Sequence, residues 1–207
     1  MNELRIMKKE HKQGFTIVEL LIVIVVIAIL AAITVVAYNG IQTRTHNAQT
    51  AAVIKMYKQA LIAYATTYGN YPAGGTTPAC LGEGYTSCWG GGSNPISFHN
   101  DLRPFLNNTN PLPKVYDGPI TYGAGNRYGA SYYYTTSITY DGVSYPWGIA
   151  YYIEGANQCP VGPIMTPAVG QTYPNFSSTP DPARQGYTER QTGNTHCRIM
   201  LPDPATL

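Results

Sequence analysis

Side chains that could support catalysis are few and widely separated in this sequence. The 207 residues include four histidines, namely His11, His46, His99 and His196. His99 lies two residues before Asp101 in a short helical pattern, and one such pair occurs more often on a protein surface than in an active site. The sequence contains no Gly-x-Ser-x-Gly elbow, no phosphate-binding glycine loop and no His-Glu-x-x-His motif. We therefore expect a protein that is not an enzyme, has no catalytic residues and binds no cofactor.

The four cysteines offer either disulfides or metal ligands. All of them follow a long apolar run near the N-terminus, and an even number of cysteines beyond a membrane anchor is typical of an oxidising compartment. Three pairings are possible, of which we favour a local clip between Cys80 and Cys88 and a bond between Cys159 and Cys197 that ties a C-terminal loop to the last strand. A metal site is disfavoured, because the sequence has no Cys-x-x-Cys pair.

One carboxylate lies inside the apolar run. From Phe15 to Ala37 the only charged residue is Glu19. At about 1.5 Å per residue the run can cross a hydrocarbon core of about 30 Å, and the basic residues before it predict a cytoplasmic N-terminus and an exported remainder. A signal peptide and a plain signal anchor are the alternatives. Neither accounts for Glu19, since a carboxylate within a span costs about 2–3 kcal/mol at mid-helix and is usually functional.

Cleavage after Gly14 would change the surroundings of this carboxylate. Phe15 would become the N-terminal residue, and Glu19 would lie one helical turn from the new amino group, in the positive field of the helix N-terminus. Such a helix holds a carboxylate ready for a positive group on a neighbouring molecule. The arrangement therefore favours the side-by-side packing of many helices.

These residues carry a specific resemblance to a known family. The segment Gly14-Phe15-Thr16-Ile17-Val18-Glu19, between a charged leader and an apolar span, resembles the processing signal of type IV pilins and type II secretion pseudopilins. The resemblance implies that a prepilin peptidase cleaves between Gly14 and Phe15 and methylates the amine of Phe15. It also implies that Glu19 pairs with the terminal amine of an adjacent subunit during assembly.

The same resemblance implies partners and a location. The partners are other pilin subunits, a membrane platform protein and an assembly ATPase, with membrane lipid around the helix before assembly. The chain would first lie in the cytoplasmic membrane as a single-pass protein and later in a filament at the cell surface. Closure of a C-terminal loop by a disulfide such as Cys159–Cys197 is also similar to the family. Many pilins have a proline in the second half of the span, whereas the first proline here is Pro72, and Asn39-Gly40 is the expected weak point of the helix instead.

The composition describes a polar but weakly charged chain. Charged residues make up 12% of it, whereas tyrosine occurs 18 times, glycine 21 times and proline 16 times. The formal net charge is +2, so the chain lacks the strongly basic field that attracts nucleic acid. We predict no nucleic-acid partner.

After Gly40 the helical pattern continues with a different character. Apolar residues recur at three- and four-residue spacing on one face of an otherwise polar helix, namely Ala48, Ala51, Ala52, Val53, Met56, Tyr57, Ala60, Leu61, Tyr64 and Tyr68. Gly69, Asn70 and Pro72 end the pattern. We expect ordinary core packing for the three tyrosines of this face.

The remaining sequence predicts a β-rich head. Residues 98–106 indicate a short helix bent at Pro104. Aromatic and β-branched runs predict strands at residues 132–136, 138–140, 149–153 and 196–201. Asp141-Gly142 predicts a hairpin turn. Stretches rich in glycine, proline and serine predict loops, at residues 73–95 and 160–186.

Together these patterns predict an α+β fold. A long N-terminal helix, apolar and transmembrane in its first half and amphipathic in its second, packs on an antiparallel β-sheet head. The predicted segments are a leader at 1–14, a transmembrane and assembly helix at 15–38, its continuation at 39–71 and a disulfide-containing head at 72–207. The implied function is a structural subunit of a type IV pilus-like filament in motility, adhesion or uptake. The alternatives are a minor pilin or pseudopilin acting as an adhesive tip or secretion-filament component, and a membrane-anchored exported enzyme, which is disfavoured.

Overall fold

The structure is a computed structural model in which two compact units are recognised, the first ending at Gln42 and the second comprising Thr43–Leu207. It describes residues 15–74, 78–88, 91–122, 124–134, 139–140, 143–144, 146–155, 159, 187–191 and 193–207. The predicted loop at 160–186 and the predicted turn at Asp141-Gly142 lie outside these residues.

The long N-terminal helix predicted from the sequence is present. Helix α1 comprises Ile17–Tyr68 and continues through Asn39 and Gly40, where the sequence predicted a weak point. It is long and apolar enough to cross a membrane. The hydroxyl of Thr34 donates to the carbonyl oxygen of Ala31 at 2.9 Å, so this polar side chain is satisfied by its own helix and needs no other partner in an apolar environment.

The helix ends where glycine permits a left-handed turn. Gly69 has φ +74°, and its N–H donates to the carbonyl oxygen of Ala65 at 2.8 Å. A residue with a Cβ is strained in this conformation, which explains why the helix stops at Tyr68 and why the residue after it is glycine.

The second unit contains an antiparallel sheet. Helix α2 and the nine strands that follow α1 in the described chain are β1 Ala79–Cys80, α2 Ile96–Leu102, β2 Ile120–Tyr122, β3 Gly125–Arg127, β4 Ala130–Tyr134, β5 Thr139–Tyr140, β6 Val143–Ser144, β7 Trp147–Ile153, β8 Tyr187–Gln191 and β9 Asn194–Met200. Five strands form one sheet in the order β1-β4-β7-β9-β8, while β2 pairs with β3 and β5 with β6. All these pairings are antiparallel. The predicted α+β class is confirmed.

The core lies between the sheet and the part of α1 in the second unit. Ile149 on the central strand β7 is opposite Tyr132 on β4 and Ile199 on β9. These three side chains share one buried core with residues of α1 that include Ile54 and Tyr57. Burying an aliphatic or aromatic side chain of this size stabilises a fold by about 1.5–3 kcal/mol, so this contact accounts for the position of the helix.

The buried face of α1 differs in part from the predicted one. The buried residues of this segment are Thr50, Val53, Ile54, Tyr57, Ala60, Leu61 and Ala65. Ala48 and Ala52 were assigned to the buried face but are exposed. Tyr68 was expected in the core and is 63% exposed. Alanine is small and only weakly hydrophobic, so the positions of alanines in the sequence do not define the edge of the buried face.

Buried tyrosines attach irregular segments to the core. The hydroxyl of Tyr132 donates to the carbonyl oxygen of Pro72 at 3.0 Å. Three further tyrosine hydroxyls donate to loop carbonyls in the same way, namely Tyr57 to Pro113, Tyr71 to Pro202 and Tyr85 to Val115. Burial raises the pKa of Tyr132 far above its ordinary value, so the phenol stays protonated and keeps its donor.

Candidate functional site

The N-terminus of α1 is organised by two residues. The backbone N–H and the hydroxyl of Thr16 both donate to Oε2 of Glu19, at 2.8 and 2.7 Å. In return the N–H of Glu19 donates to Oγ1 of Thr16 at 3.2 Å. This reciprocal pattern is a capping box, in which the side chains at the N-cap and three residues later satisfy backbone donors that the helix leaves unpaired.

The predicted processing residues lie beside this cap. Gly14 is outside the residues that the structure describes. Phe15 directly precedes the cap and is 88% exposed. Glu19 is exposed as well, and its carboxylate is already bound at the first turn of the helix. Glu19 was recognisable from the sequence as a charge within an apolar run, whereas the role of Thr16 was not recognised, although the Thr-x-x-Glu spacing is the ordinary signal for a capping box.

The first unit presents an apolar surface along the helix. Large aliphatic side chains between Ile17 and Val35 are 48–79% exposed. Globular proteins seldom leave so large an apolar area in water, so such a surface belongs against lipid or other protein. The arrangement can therefore support membrane anchoring and self-association, with one acidic group at its end.

The cysteines of the second unit are bonded in two pairs. Cys80 is bonded to Cys88 and Cys159 to Cys197, with Cα–Cα distances of 5.6 and 5.7 Å. The first bond explains a nearby glycine, because a Cβ at Gly92 would lie 2.3 Å from Sγ of Cys88. The Gly-rich stretch at this point makes room for a disulfide, and Trp89 and Gly90 lie outside the described residues.

His46 on α1 is half-buried where the helix meets the end of β7. Its Nδ1 lies 3.0 Å from Oε1 of Glu154, and its ring stacks on Tyr116 with the centroids 3.7 Å apart. The side chain of Asn47 donates to the carbonyl oxygen of Glu154 at 2.8 Å and accepts from its N–H at 2.9 Å. These contacts fix the register of the helix against the sheet.

His99 was expected at the surface and is buried, with 3% exposure. Its Nε2 lies 3.0 Å from the carbonyl oxygen of Cys80. The ring, carried by α2, contacts the segment held by the Cys80–Cys88 disulfide, and a sequence pattern cannot distinguish this buried position from a surface one.

His196 is also buried, with 1% exposure, and stacks on Tyr152 with the ring centroids 4.6 Å apart. Burial lowers the pKa of His196 well below its ordinary value, and the nearby positive charges of Arg198 and Arg127 lower it further. In the described part of the chain no three His, Cys, Asp or Glu residues are placed to hold a metal ion.

The comparisons with known proteins concern the N-terminal segment. Residues 10–35 match a family model described as the prokaryotic N-terminal methylation motif. This motif is the signature of the prepilin-type signal of type IV pilins and pseudopilins. No curated protein and no solved structure matches the chain. The motif supports a type IV pilin-like or pseudopilin subunit, a class that is usually non-enzymatic, and it fits membrane anchoring through the apolar helix.

Proposed function

We propose that this protein is a structural subunit of a type IV pilus-like filament and assembles through its N-terminal helix. The observation that carries the proposal is that the methylation motif, the apolar helix and Glu19 occupy the same part of the chain. The methylation motif at residues 10–35 covers the start of the one described helix that is apolar enough for a membrane, and Glu19 is the only charged residue between Phe15 and Ala37.

The proposed sequence of events begins in the cytoplasmic membrane. The chain is anchored there by a single pass with its N-terminus in the cytoplasm and the head exported. A prepilin peptidase cleaves between Gly14 and Phe15 and methylates the new amine of Phe15. Cleavage removes a basic leader that would hold the N-terminus at the lipid surface, so the helix becomes able to leave the membrane.

Assembly then exchanges one apolar environment for another. Because lipid tails are as apolar as the helix, moving the helix from lipid into a filament core changes its free energy little. Close packing and polar pairing must therefore provide the free energy that favours assembly. The carboxylate of Glu19 pairs with the N-terminal amine of an adjacent subunit, since a charge in a medium of low dielectric constant is tolerated only beside an opposite charge. A platform protein and an assembly ATPase insert each subunit, and the filament reaches the cell surface.

Gly14→Leu tests the cleavage step. We expect the exported protein to keep residues 1–14, because a leucine side chain does not fit a site shaped for glycine. Intact-mass spectrometry of the membrane fraction measures this, with Gly40→Ala as the control that is processed normally. A Gly14→Leu protein of the same mature length as the parent would refute the assigned site.

Glu19→Ala tests the assembly step. We expect normal membrane insertion and a loss of filament incorporation of about tenfold or more, since a buried ion pair with one partner removed costs about 3–5 kcal/mol. Sheared filaments are quantified against the membrane pool, with Thr34→Ala as the control, because the hydroxyl of Thr34 is bound within its own helix. Normal filament yield from Glu19→Ala would remove the assigned role.

A second candidate is a minor pilin or pseudopilin that acts as an adhesive tip or as part of a secretion filament. The observation that favours it is an aromatic cluster at the surface of the head, where the exposed Tyr68 lies 4.6 Å from Tyr64 and 6.2 Å from Phe105 between ring centroids, and both of these rings are partly buried. Exposed aromatic rings give contact area at low entropic cost. The proportion of this chain in purified filaments separates the candidates: a major subunit dominates, whereas a tip subunit is rare.

A further inference from the structure

The two oxygens of the Glu19 carboxylate have different surroundings. Oε2 accepts hydrogen bonds from the N–H and the hydroxyl of Thr16. Oε1 accepts none from the residues that the structure describes. The hydroxyl of Thr16 also accepts from the N–H of Glu19, so its single proton is directed towards Oε2. The carboxylate therefore has one oxygen held within its own helix and one oxygen available to a second molecule.

We propose that Thr16 is a positioning residue for assembly, which holds the Glu19 carboxylate in the conformation that receives the amine of the neighbouring subunit. The inference rests on the proposed function and deepens it. Thr16 does not touch the neighbour's amine in this scheme. It acts through Glu19 by reducing the conformational entropy that this side chain loses when subunits join.

Two physical effects support this role. A free glutamate side chain loses substantial rotamer entropy when it is fixed, and fixing it before binding removes that cost from the association step. In addition, a carboxylate that enters an apolar environment with two hydrogen bonds from its own chain is partly compensated for the loss of water. Both effects make the subunit ready to pair before it meets the filament.

The experiment uses the full-length chain in cells that assemble the filament. Filament yield is counted per processed subunit, so that slower cleavage does not imitate poor assembly. We expect Thr16→Val, which keeps the shape and removes the hydroxyl, to lower the yield about tenfold, because a hydrogen bond to a charged group is worth at least that factor in an equilibrium constant. Thr16→Ser restores the hydroxyl and is expected within about twofold of the parent. Thr16→Ala replaces Thr16→Val if the peptidase rejects valine.

Thr16→Gly separates positioning from simple capping. Glycine caps a helix about as well as threonine does, but it offers no side-chain donor to Glu19 and adds no charge. A purely structural role predicts that Thr16→Gly and Thr16→Ser assemble about equally, whereas positioning predicts that only Thr16→Ser assembles normally. We also expect Thr16→Val to have no further effect in a Glu19→Ala background.

The outcomes distinguish this inference from the function on which it rests. Parental yield from Thr16→Val together with impaired Glu19→Ala would overturn the role of Thr16 and leave the assembly role of Glu19 standing. Equal assembly of Thr16→Gly and Thr16→Ser would do the same. Parental yield from Glu19→Ala would overturn both.

Discussion

His196 has a side chain capable of acid–base chemistry, but in the folded head it packs against other rings. Its ring stacks on Tyr152 and meets Tyr122 edge-on, on the face of the sheet opposite the main core. The lowered pKa follows from burial first and from Arg198 and Arg127 second. A neutral imidazole is therefore part of the folded head, and its protonation opposes folding.

The pH dependence of stability follows from this histidine. In the unfolded chain a histidine binds its proton near pH 6.5, whereas in the folded head it binds one only at much lower pH. The contribution of His196 to stability is thus complete above about pH 6.5 and is lost as the pH falls from there towards the folded-state pKa, with a slope of at most about 1.4 kcal/mol per pH unit.

Denaturant unfolding of the head at several pH values measures this effect. We expect the loss between about pH 7 and pH 5 to be much smaller in His196→Phe, which keeps an aromatic ring against Tyr152 but cannot bind a proton. The two proteins are compared at about pH 8 first, where neither carries the extra charge. An identical acid slope in both would contradict the assignment.

At the scale of elements, much of the fold was predictable. The end of α1 at Gly69 and the strand that contains Ile149 follow from local patterns of glycine, periodicity and β-branched residues. Short strands with no periodic signal were not predicted, such as β1 and β3, which comprise two and three residues. Their backbone pairing depends on neighbours that are distant in sequence, and propensity does not report those neighbours.

Of the two residues of the candidate site, Glu19 was predictable from the sequence and Thr16 was not. Glu19 attracts notice because a charge in an apolar run is costly. Thr16 has an ordinary side chain in an ordinary place, and its importance appears only from the three hydrogen bonds that it shares with Glu19. The half-buried position of His46 and the buried position of His99 likewise depend on contacts, with Glu154 and Cys80 respectively, that local sequence patterns do not show.

Tyrosine hydroxyls join irregular segments to regular elements, and Tyr132 provides the test. Tyr132→Phe keeps the ring that stacks on Phe98 and Trp147 but leaves the carbonyl oxygen of Pro72 without this donor. We expect a loss of about 1–3 kcal/mol, the cost of a buried group that loses its hydrogen bond. Chemical unfolding measures it, and Tyr134→Phe on the exposed end of the same strand is the control. Equal stability of the two variants would show that the hydroxyl contributes nothing.

At the scale of the molecule, the division at Gln42 and Thr43 predicts an independent head. The buried residues of the described chain begin at Thr50, so the core needs nothing from the apolar part of α1. We expect a fragment of residues 43–207, exported to an oxidising compartment, to be soluble and monomeric, to contain both disulfides and to unfold cooperatively.

Gel filtration, thiol titration and thermal unfolding check the fragment. The matched control is residues 15–207, which retains the apolar helix and requires detergent because its long hydrophobic surface is exposed. A fragment of residues 43–207 that aggregates with free thiols would show that the head depends on the N-terminal helix for folding.

The reliance on phenol hydroxyls has a consequence for where such a protein can operate. The contacts that hold Pro72, Pro113 and Pro202 are made by neutral donors, and dissolved ions screen charges but leave neutral hydrogen bonds almost untouched. A head built in this way is expected to keep the same shape in fresh water and in brine. A cell could then carry it on the outside, where the surrounding electrolyte is set by the habitat and not by metabolism.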